Sequence, residues 1–280
     1  MDPLQSVTAA RLAIVAGKGG VGKTTVTAVL ARAAIRRGLR VLVVELDGKP
    51  TLDDLVDGAE VQHLSASTAL REYLDTHGLS RVAKRLSSSG IIDVVATASP
   101  GIDDIVVLGK IKQLERSGNW DLIVVDGPAA GHAITFLLAA KSMLSTMRGG
   151  PIRTQASEVA EMLADDTRTV VVLVTLPEAT PVNEAAETAE ALRDRVGVHL
   201  APVVVNAVDE GAHLPVDAAP QGSPMRDAAE FRNARRAMHA AERVHLAEAL
   251  DLPQLVLPLV PGSVLDSTAV DGLAAAWDPR

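Results

Sequence analysis

A glycine-rich loop near the start of the chain constrains its fold more than any other feature. Residues 17–25 read Gly-Lys-Gly-Gly-Val-Gly-Lys-Thr-Thr, and they lie between an apolar run at 12–16 and a helix pattern at 25–37 that ends at Gly38. The glycines let successive backbone N–H groups point inward, and the helix N-terminus adds a partial positive charge. A strand, such a loop and a helix in this order form a phosphate-binding unit. The chain is therefore predicted to fold around a phosphate-binding loop.

The side chains of this loop have separate predicted roles. Lys23 is placed to reach the β and γ phosphates of a nucleotide, and Thr24 offers its hydroxyl to Mg²⁺. Lys18 is unusual, because a second lysine this early is not needed to cradle phosphates within one subunit. A cation at this position can act on a neighbouring subunit instead. The residues expected to bind the nucleotide are Gly19, Gly20, Val21, Gly22, Lys23, Thr24 and Thr25.

Apolar, β-branched runs alternate with helix patterns along the rest of the chain. Short continuous apolar runs suit strands that are buried on both faces. Their alternation with helices predicts an α/β fold with a mostly parallel central sheet and helices on both faces. We predict one phosphate-binding-loop domain over residues 1–280, with a short helical insertion at about 133–165 and a surface loop at about 209–224. The runs are 12–16, 41–46, 91–96, 122–125, 170–175, 202–205 and 255–257.

Composition excludes several classes of site. The chain has no cysteine, which excludes disulfides, cysteine-ligated zinc, iron–sulfur clusters and thiolate nucleophiles. The chain has 35 acidic and 27 basic residues, which give a net charge of -8. A net negative charge disfavours nucleic-acid binding over the whole protein surface. No uninterrupted apolar stretch reaches about 18 residues, and the first residues lack a secretory pattern. We therefore expect a cytoplasmic protein without direct membrane insertion.

Acidic residues follow two of the predicted strands. Asp47 follows the run at 41–46 and Asp126 follows the run at 122–125. Ligands bind at the carboxyl ends of parallel strands, so Asp126 is expected to hold a water of the Mg²⁺ shell. Asp47 is expected to orient the attacking water or to hold a Mg²⁺-bound water, unless Asp47-Gly48 is only a turn. His132 lies six residues beyond Asp126, and either a ligand role or ordinary packing remains open for it.

The loop resembles the deviant Walker A motif of the P-loop ATPase family that includes the arsenite-pump ATPase, the guided-entry ATPase for tail-anchored membrane proteins, MinD, ParA and nitrogenase iron protein. Residues 126–132 are similar to that family's second switch, and the resemblance covers roughly residues 12–261. It implies a Mg²⁺-dependent ATPase that works as a dimer, in which Lys18 crosses to the partner's nucleotide. It also implies that Asn206 reads adenine. The first switch departs from the family, because only Asp47 is kept while residues 48–51 differ.

The absence of cysteine excludes the chemistry of several members of this family. This chain lacks the cysteines needed for three functions. These are the iron–sulfur cluster ligation of nitrogenase iron protein, the binding of arsenite by thiolates and a zinc site formed by cysteines. We expect ATP and Mg²⁺ as cofactors and a homodimer, or a heterodimer with a paralogous subunit, coupled to an unknown client or membrane-protein partner. Two alternatives stay open. One is a ParA- or MinD-like positioning switch, with the arginines at 32–40 as a DNA-binding face, and the other is a non-hydrolysing scaffold.

Overall fold

All strand pairings in the central sheet are parallel. A computed structural model describes residues 3–46, 51–76, 101–260, 262 and 265–278; Asp47 and the apolar run at 91–96 lie outside these ranges. Within them the strand order is β3-β2-β4-β1-β5-β7-β8, and β6 pairs with β5. The strands are β1 Leu12–Gly17, β2 Val41–Glu45, β3 Glu60–His63, β4 Leu122–Ala129, β5 Thr169–Thr175, β6 His199–Leu200, β7 Val203–Val208 and β8 Gln254–Pro258.

The central position of β1 explains its composition. It pairs with β4 on one side and β5 on the other, with Leu12 aligned to both Ile123 and Thr169. Every residue of β1 and β5 is buried, as expected for strands covered on both faces. The predicted parallel α/β fold is therefore confirmed.

Helices cover both faces of the sheet. They are α1 Pro3–Ala9, α2 Lys23–Arg36, α3 Ala66–Thr76, α4 Ile102–Ser117, α5 Ala130–Thr146, α6 Pro151–Ala164, α7 Ala179–Ala191, α8 Pro224–Ala249 and α9 Ser267–Ala275. A π-helical turn, Leu192–Val196, continues α7 until Gly197 stops it in the left-handed conformation at φ 77°. The helix predicted at 25–37 likewise ends close to where Gly38 indicated.

The alternation of side chains along β1 divides the core into two layers. Leu12 and Ile14 face helices α4, α5 and α6, whereas Ala13 and Val15 face α2 and α9. Helices α5 and α6 lie in the region predicted as a helical insertion, about 133–165, and Met143 and Met162 are buried against the first layer. No helix among the described ranges is both long and apolar enough to cross a bilayer.

Candidate functional site

The phosphate-binding loop is packed tightly between neighbouring strands. It leaves β1 at Gly17 and enters α2 at Lys23, with Gly22 at φ 89° just before the helix. A Cβ atom on Gly17 would collide with the Val174 carbonyl oxygen of β5, and one on Gly22 would collide with the Asn206 amide. Only glycine fits both places, and Gly22 also needs a positive φ. The loop backbone is thereby packed closely against β5 and against Asn206 at the carboxyl end of the sheet.

The two lysines of the loop take different directions. The Lys23 Nζ atom donates to the Lys18 carbonyl oxygen at 3.3 Å, so Lys23 folds back over the loop. The Lys18 Nζ atom lies 2.7 Å from Oε1 of Glu184 on helix α7. Both side chains of this ion pair are partly exposed, at 43% for Lys18 and 38% for Glu184. No sequence pattern singles out Glu184, which lies 166 residues from Lys18.

Two hydroxyls of helix α2 hold the carboxylate of Asp126. The Thr24 hydroxyl donates to Oδ2 at 2.8 Å, and the hydroxyl of buried Thr27, one turn further on, donates to Oδ1 at 3.2 Å. Thr24 and Asp126, predicted separately as metal residues, therefore lie side by side. Mg²⁺ in nucleotide sites commonly takes one or two protein ligands and completes its octahedron with phosphate oxygens and water. The donor set fits such an ion.

No larger metal cluster competes with that arrangement in the part of the chain that the structure covers. There, no three His, Asp or Glu side chains are grouped so that they could hold a metal ion by themselves.

A buried carboxyl lies beside the partly exposed Asp126. Glu45 ends β2, pairs in register with Asp126 of β4 and is only 4% exposed. Burial raises the pKa of Glu45, while a hydrogen bond from the Thr51 backbone and the charge of His63 act in the opposite direction. Sequence reasoning missed Glu45 because it appeared only as the polar end of an apolar run.

Asn206 lies against the phosphate-binding loop. Its Nδ2 atom donates to the Val21 carbonyl oxygen at 2.9 Å, and its Oδ1 atom accepts from the Ala207 backbone N–H at 2.9 Å. Ala207 has a φ of 57°, which turns the chain sharply at the end of β7. The structure thus brings Asn206 to the loop predicted to bind phosphates, with its Nδ2 atom bonded to the loop and its Oδ1 atom bonded to the next residue of its own strand.

A groove with a volume of about 860 Å³ opens beside the segment that follows Asp126. Most of its wall is apolar, but Asp103 and Asp104 at the start of α4 line it together with His132. Burial raises the pKa of Asp104 to about 6, the neighbouring charge of Asp103 adds to this, and His132 opposes it. The second-switch segment contributes Pro128, Ala129 and His132 to the lining.

The arginines at 32–40, considered as a DNA-binding face, are engaged within the chain. Arg37 donates to the Trp277 carbonyl oxygen at 3.0 Å. Three ion pairs use the others, and two of them anchor the C-terminal helix and the residues just beyond it. The pairs are Arg32 with Asp271, Arg36 with Asp278 and Arg40 with Asp121. Much of the positive charge that a nucleic-acid backbone would need is neutralised here.

Known proteins resemble the chain over most of its length. ATPase BagA of Mycobacterium tuberculosis is 31% identical over 91% of this chain and 88% of its own length. A putative arsenical pump-driving ATPase of Halobacterium salinarum is 27% identical over 92% of this chain, which spans 43% of that relative. ATPase GET3B of Arabidopsis thaliana is 23% identical over 73% of this chain and 66% of its own length.

A family model agrees with these pairwise similarities. The model described as anion-transporting ATPase matches residues 10–150. This region includes the phosphate-binding loop, Glu45, Asp126 and His132, so the match covers most of the geometry described above. This match agrees with the parallel sheet and with the similarity to ATPase BagA over 91% of the chain. The chain belongs to the anion-transporting ATPase family.

Proposed function

We propose that the chain is a Mg²⁺-dependent ATPase that dimerises on binding ATP and couples that cycle to a client or transport partner. The observation that carries the proposal is the contact of Thr24 with Asp126 beside the glycine loop. It unites a hydroxyl and a carboxylate where the Mg²⁺ of a bound nucleotide would lie. The family and its ATPase relatives support the same chemistry.

The residues of the chain would divide the work of phosphoryl transfer. Lys23 neutralises negative charge on the transferring phosphate, and Thr24 with Asp126 keeps the metal and its water in place. Bound Mg²⁺ supplies further charge neutralisation. Asp47 would orient the attacking water, and Lys18 would add a positive charge from the partner subunit. Since such transfers depend on position and electrostatics, we propose that these five side chains carry the reaction.

Dimer formation would require Lys18 to change partners. In the single chain it pairs with Glu184, yet it remains 43% exposed. An exposed pair is worth about 0–1 kcal/mol, so little free energy opposes the exchange of Glu184 for a nucleotide. The partner would be a second copy or a paralogous subunit.

The groove would couple the state of the nucleotide to the binding of a client. Its wall includes Ala129 and His132, and the same segment begins at Asp126. A shift of this segment on loss of the γ phosphate would alter the groove. The names of the relatives point to arsenical pumping in one case and to a GET3-type ATPase in another. We assign neither cargo to this chain, because it has no cysteine for arsenite and its client is unidentified.

The mass of the purified chain in solution tests the proposal. Light scattering would compare Mg²⁺, ADP and aluminium fluoride with a nucleotide-free sample. We expect a shift from monomer to dimer that Lys18→Ala abolishes and that Lys141→Ala, at an exposed lysine of α5, leaves intact. Lys23→Ala should lose tight nucleotide binding. A monomer despite bound nucleotide would contradict the homodimer and direct the search to a paralogous subunit.

Turnover separates the proposal from its two alternatives. ATP binding without turnover in the presence of the dimer would favour a non-hydrolysing scaffold. Nucleotide-dependent sedimentation with DNA or anionic vesicles would favour a positioning switch. The internal pairing of Arg32, Arg36 and Arg40 argues against the DNA form of that switch.

A further inference from the structure

A cavity of about 410 Å³ opens at the carboxyl ends of β7 and β8. Its apolar wall includes Val208, Pro258 and Leu259. Val208 comes two residues after Asn206, whose amide is bonded to the phosphate-binding loop. Ligands bind beyond the carboxyl ends of the strands in a parallel sheet. The cavity is therefore placed to take the base of a nucleotide whose phosphates occupy the loop.

The carboxylate of Asp209, which lines this cavity, is fully engaged. Arg232 donates to it through Nε, at 3.0 Å from Oδ2, and through Nη2, at 3.1 Å from Oδ1. The Nη2 atom of Arg235 donates to Oδ2 at 3.0 Å, and the Gly211 backbone N–H donates to Oδ1 at 3.2 Å. A carboxylate accepts about four hydrogen bonds, two at each oxygen. Asp209 therefore has no acceptor position left for a ligand.

The surroundings of Asp209 hold it in place from several sides. Its backbone N–H donates to Nδ1 of buried His239 at 3.2 Å, which ties the turn after β7 to helix α8. A Cβ atom on Gly211 would collide with Nη2 of Arg232, so the glycine leaves room for the arginine to reach the carboxylate. The hydrogen bonds from Arg232 and Arg235 hold the pKa of Asp209 well below its ordinary value. At neutral pH the carboxylate is therefore charged and fixed in position.

The two purine bases would respond differently to this carboxylate. Guanine has two adjacent donors on its pairing edge, the N1–H group and the N2 amine. A carboxylate with one free position at each oxygen accepts both of them together. Adenine has the N6 amine on that edge, and its N1 atom is an acceptor. A saturated Asp209 leaves both guanine donors without a partner, and unpaired donors in a cavity weaken binding.

We propose that Arg232 and Arg235 are specificity-determining residues, which make the cavity select adenine over guanine by occupying the Asp209 carboxylate. The inference rests on the proposed ATPase function, because it takes the bound ligand to be a nucleotide. Arg232 has the larger effect, since its loss frees one acceptor position at each oxygen. Loss of Arg235 frees a position at Oδ2 alone.

Substitutions on helix α8 test the proposal. Arg232→Met and Arg235→Met each remove the donors of one side chain and leave an unbranched apolar chain in its place. Arg226→Met is the matched control, because Arg226 is also an arginine of α8 paired with carboxylates, and it is not among the described residues that line the cavity. The dissociation constants of ADP and GDP analogues with a fluorescent label on the ribose are measured with Mg²⁺, together with the melting temperature.

We expect the wild type and Arg226→Met to bind ADP at least about tenfold more tightly than GDP. Arg232→Met should strengthen GDP binding about tenfold and change the ADP dissociation constant by less than about threefold. Arg235→Met should show a smaller gain. Adding Asp209→Ala to Arg232→Met should abolish the gain, because guanine then loses the freed carboxylate. A gain that survives Asp209→Ala would overturn the proposal.

A second variant guards against loss of the fold. Arg232→Lys keeps a positive charge beside Asp209 and removes the planar fork, so a smaller gain in GDP binding is expected. An unchanged ratio of the two dissociation constants in both Arg232 variants would overturn the inference, because the arginines would then only anchor α8. Equal binding of ADP and GDP by the wild type would also overturn it, although the proposed function would stand. If the wild type binds neither nucleotide, the proposed function and the inference both fail.

Discussion

Lys18 and Glu184 form an ion pair within one chain, with Nζ and Oε1 2.7 Å apart. The pair connects the phosphate-binding loop to helix α7, which begins shortly after the neighbouring strand β5. If Lys18 crosses to a partner's nucleotide as proposed, the pair with Glu184 must break first. It would then favour the separated subunit, by the small amount typical of an exposed ion pair.

Glu184→Gln should promote nucleotide-dependent dimerisation. Removing the carboxylate frees Lys18, and an exposed pair worth up to about 1 kcal/mol in each of two subunits corresponds to at most about a thirtyfold lower dissociation constant for a homodimer. Light scattering at several protein concentrations, with Mg²⁺, ADP and aluminium fluoride, measures this constant. Glu187→Gln makes the same charge change at an exposed position of α7 and should have no effect. A weaker dimer in Glu184→Gln alone would mean that Glu184 supports the interface.

Thr24 and Thr27 contact the same carboxylate and should have different effects when removed. Thr24→Ala is expected to abolish the Mg²⁺ dependence of ATP binding, because it removes the proposed metal ligand. Thr27→Val keeps the shape of a buried side chain and removes one hydrogen bond to Asp126, which should cost about 1–2 kcal/mol of unfolding free energy. Denaturant unfolding and Mg²⁺ titrations of ATP binding separate the two. Equal loss of Mg²⁺ dependence in both variants would contradict the assignment.

Asp104→Asn should stabilise the protein near neutral pH. The pKa of Asp104 is raised to about 6, so the folded state binds its proton more tightly than the unfolded state does. Stability should therefore fall as pH rises from about 4 to 6, and above pH 6 a penalty of about 1 kcal/mol should remain, because solvent screens the charge of a partly exposed group. Denaturant unfolding at pH 7.5 should show Asp104→Asn above the wild type, with the gap narrowing at pH 5. A gap that does not change with pH would refute this explanation.

Two glycines of the second-switch segment should respond oppositely to alanine. A Cβ atom on Gly127 would collide with the Val15 carbonyl oxygen of β1, whereas one on Gly131, in the first turn of α5, has no atom within 4 Å. Gly127→Ala should cost about 1–3 kcal/mol of unfolding free energy. Gly131→Ala should be neutral or stabilising by up to about 1 kcal/mol, because alanine is the better helix former. Thermal unfolding of both variants measures the contrast, which similar melting temperatures would contradict.

The parts of the fold that follow from local sequence were predictable. Strands β1 and β5 are continuous apolar runs, and the helix predicted at 25–37 ends close to Gly38, as that glycine indicated. The neighbourhood of Thr24 and Asp126 was also predictable, because parallel strands bring their carboxyl ends to one edge of the sheet.

The partners of these residues were not predictable, because they depend on side chains that meet only after folding. Glu184 reaches Lys18 from a helix far along the chain. Strand β3, Glu60–His63, is a short edge strand whose mostly polar residues carry no strand pattern, so His63 could not be placed beside Glu45. The arginines of α2 form an apparent basic stripe in sequence, and only the fold supplies Asp271 and Asp278 from the chain's other end.

The position of β1 between β4 and β5 also bears on how the chain is made. Translation delivers the whole phosphate-binding loop early, but one neighbour of β1 begins at Leu122 and the other ends at Thr175. Until both have left the ribosome, β1 has an open edge with unpaired backbone groups. A nascent chain that ends before β5 would therefore carry the complete motif without a complete site. Such a chain would depend on shielding from aggregation while synthesis continues.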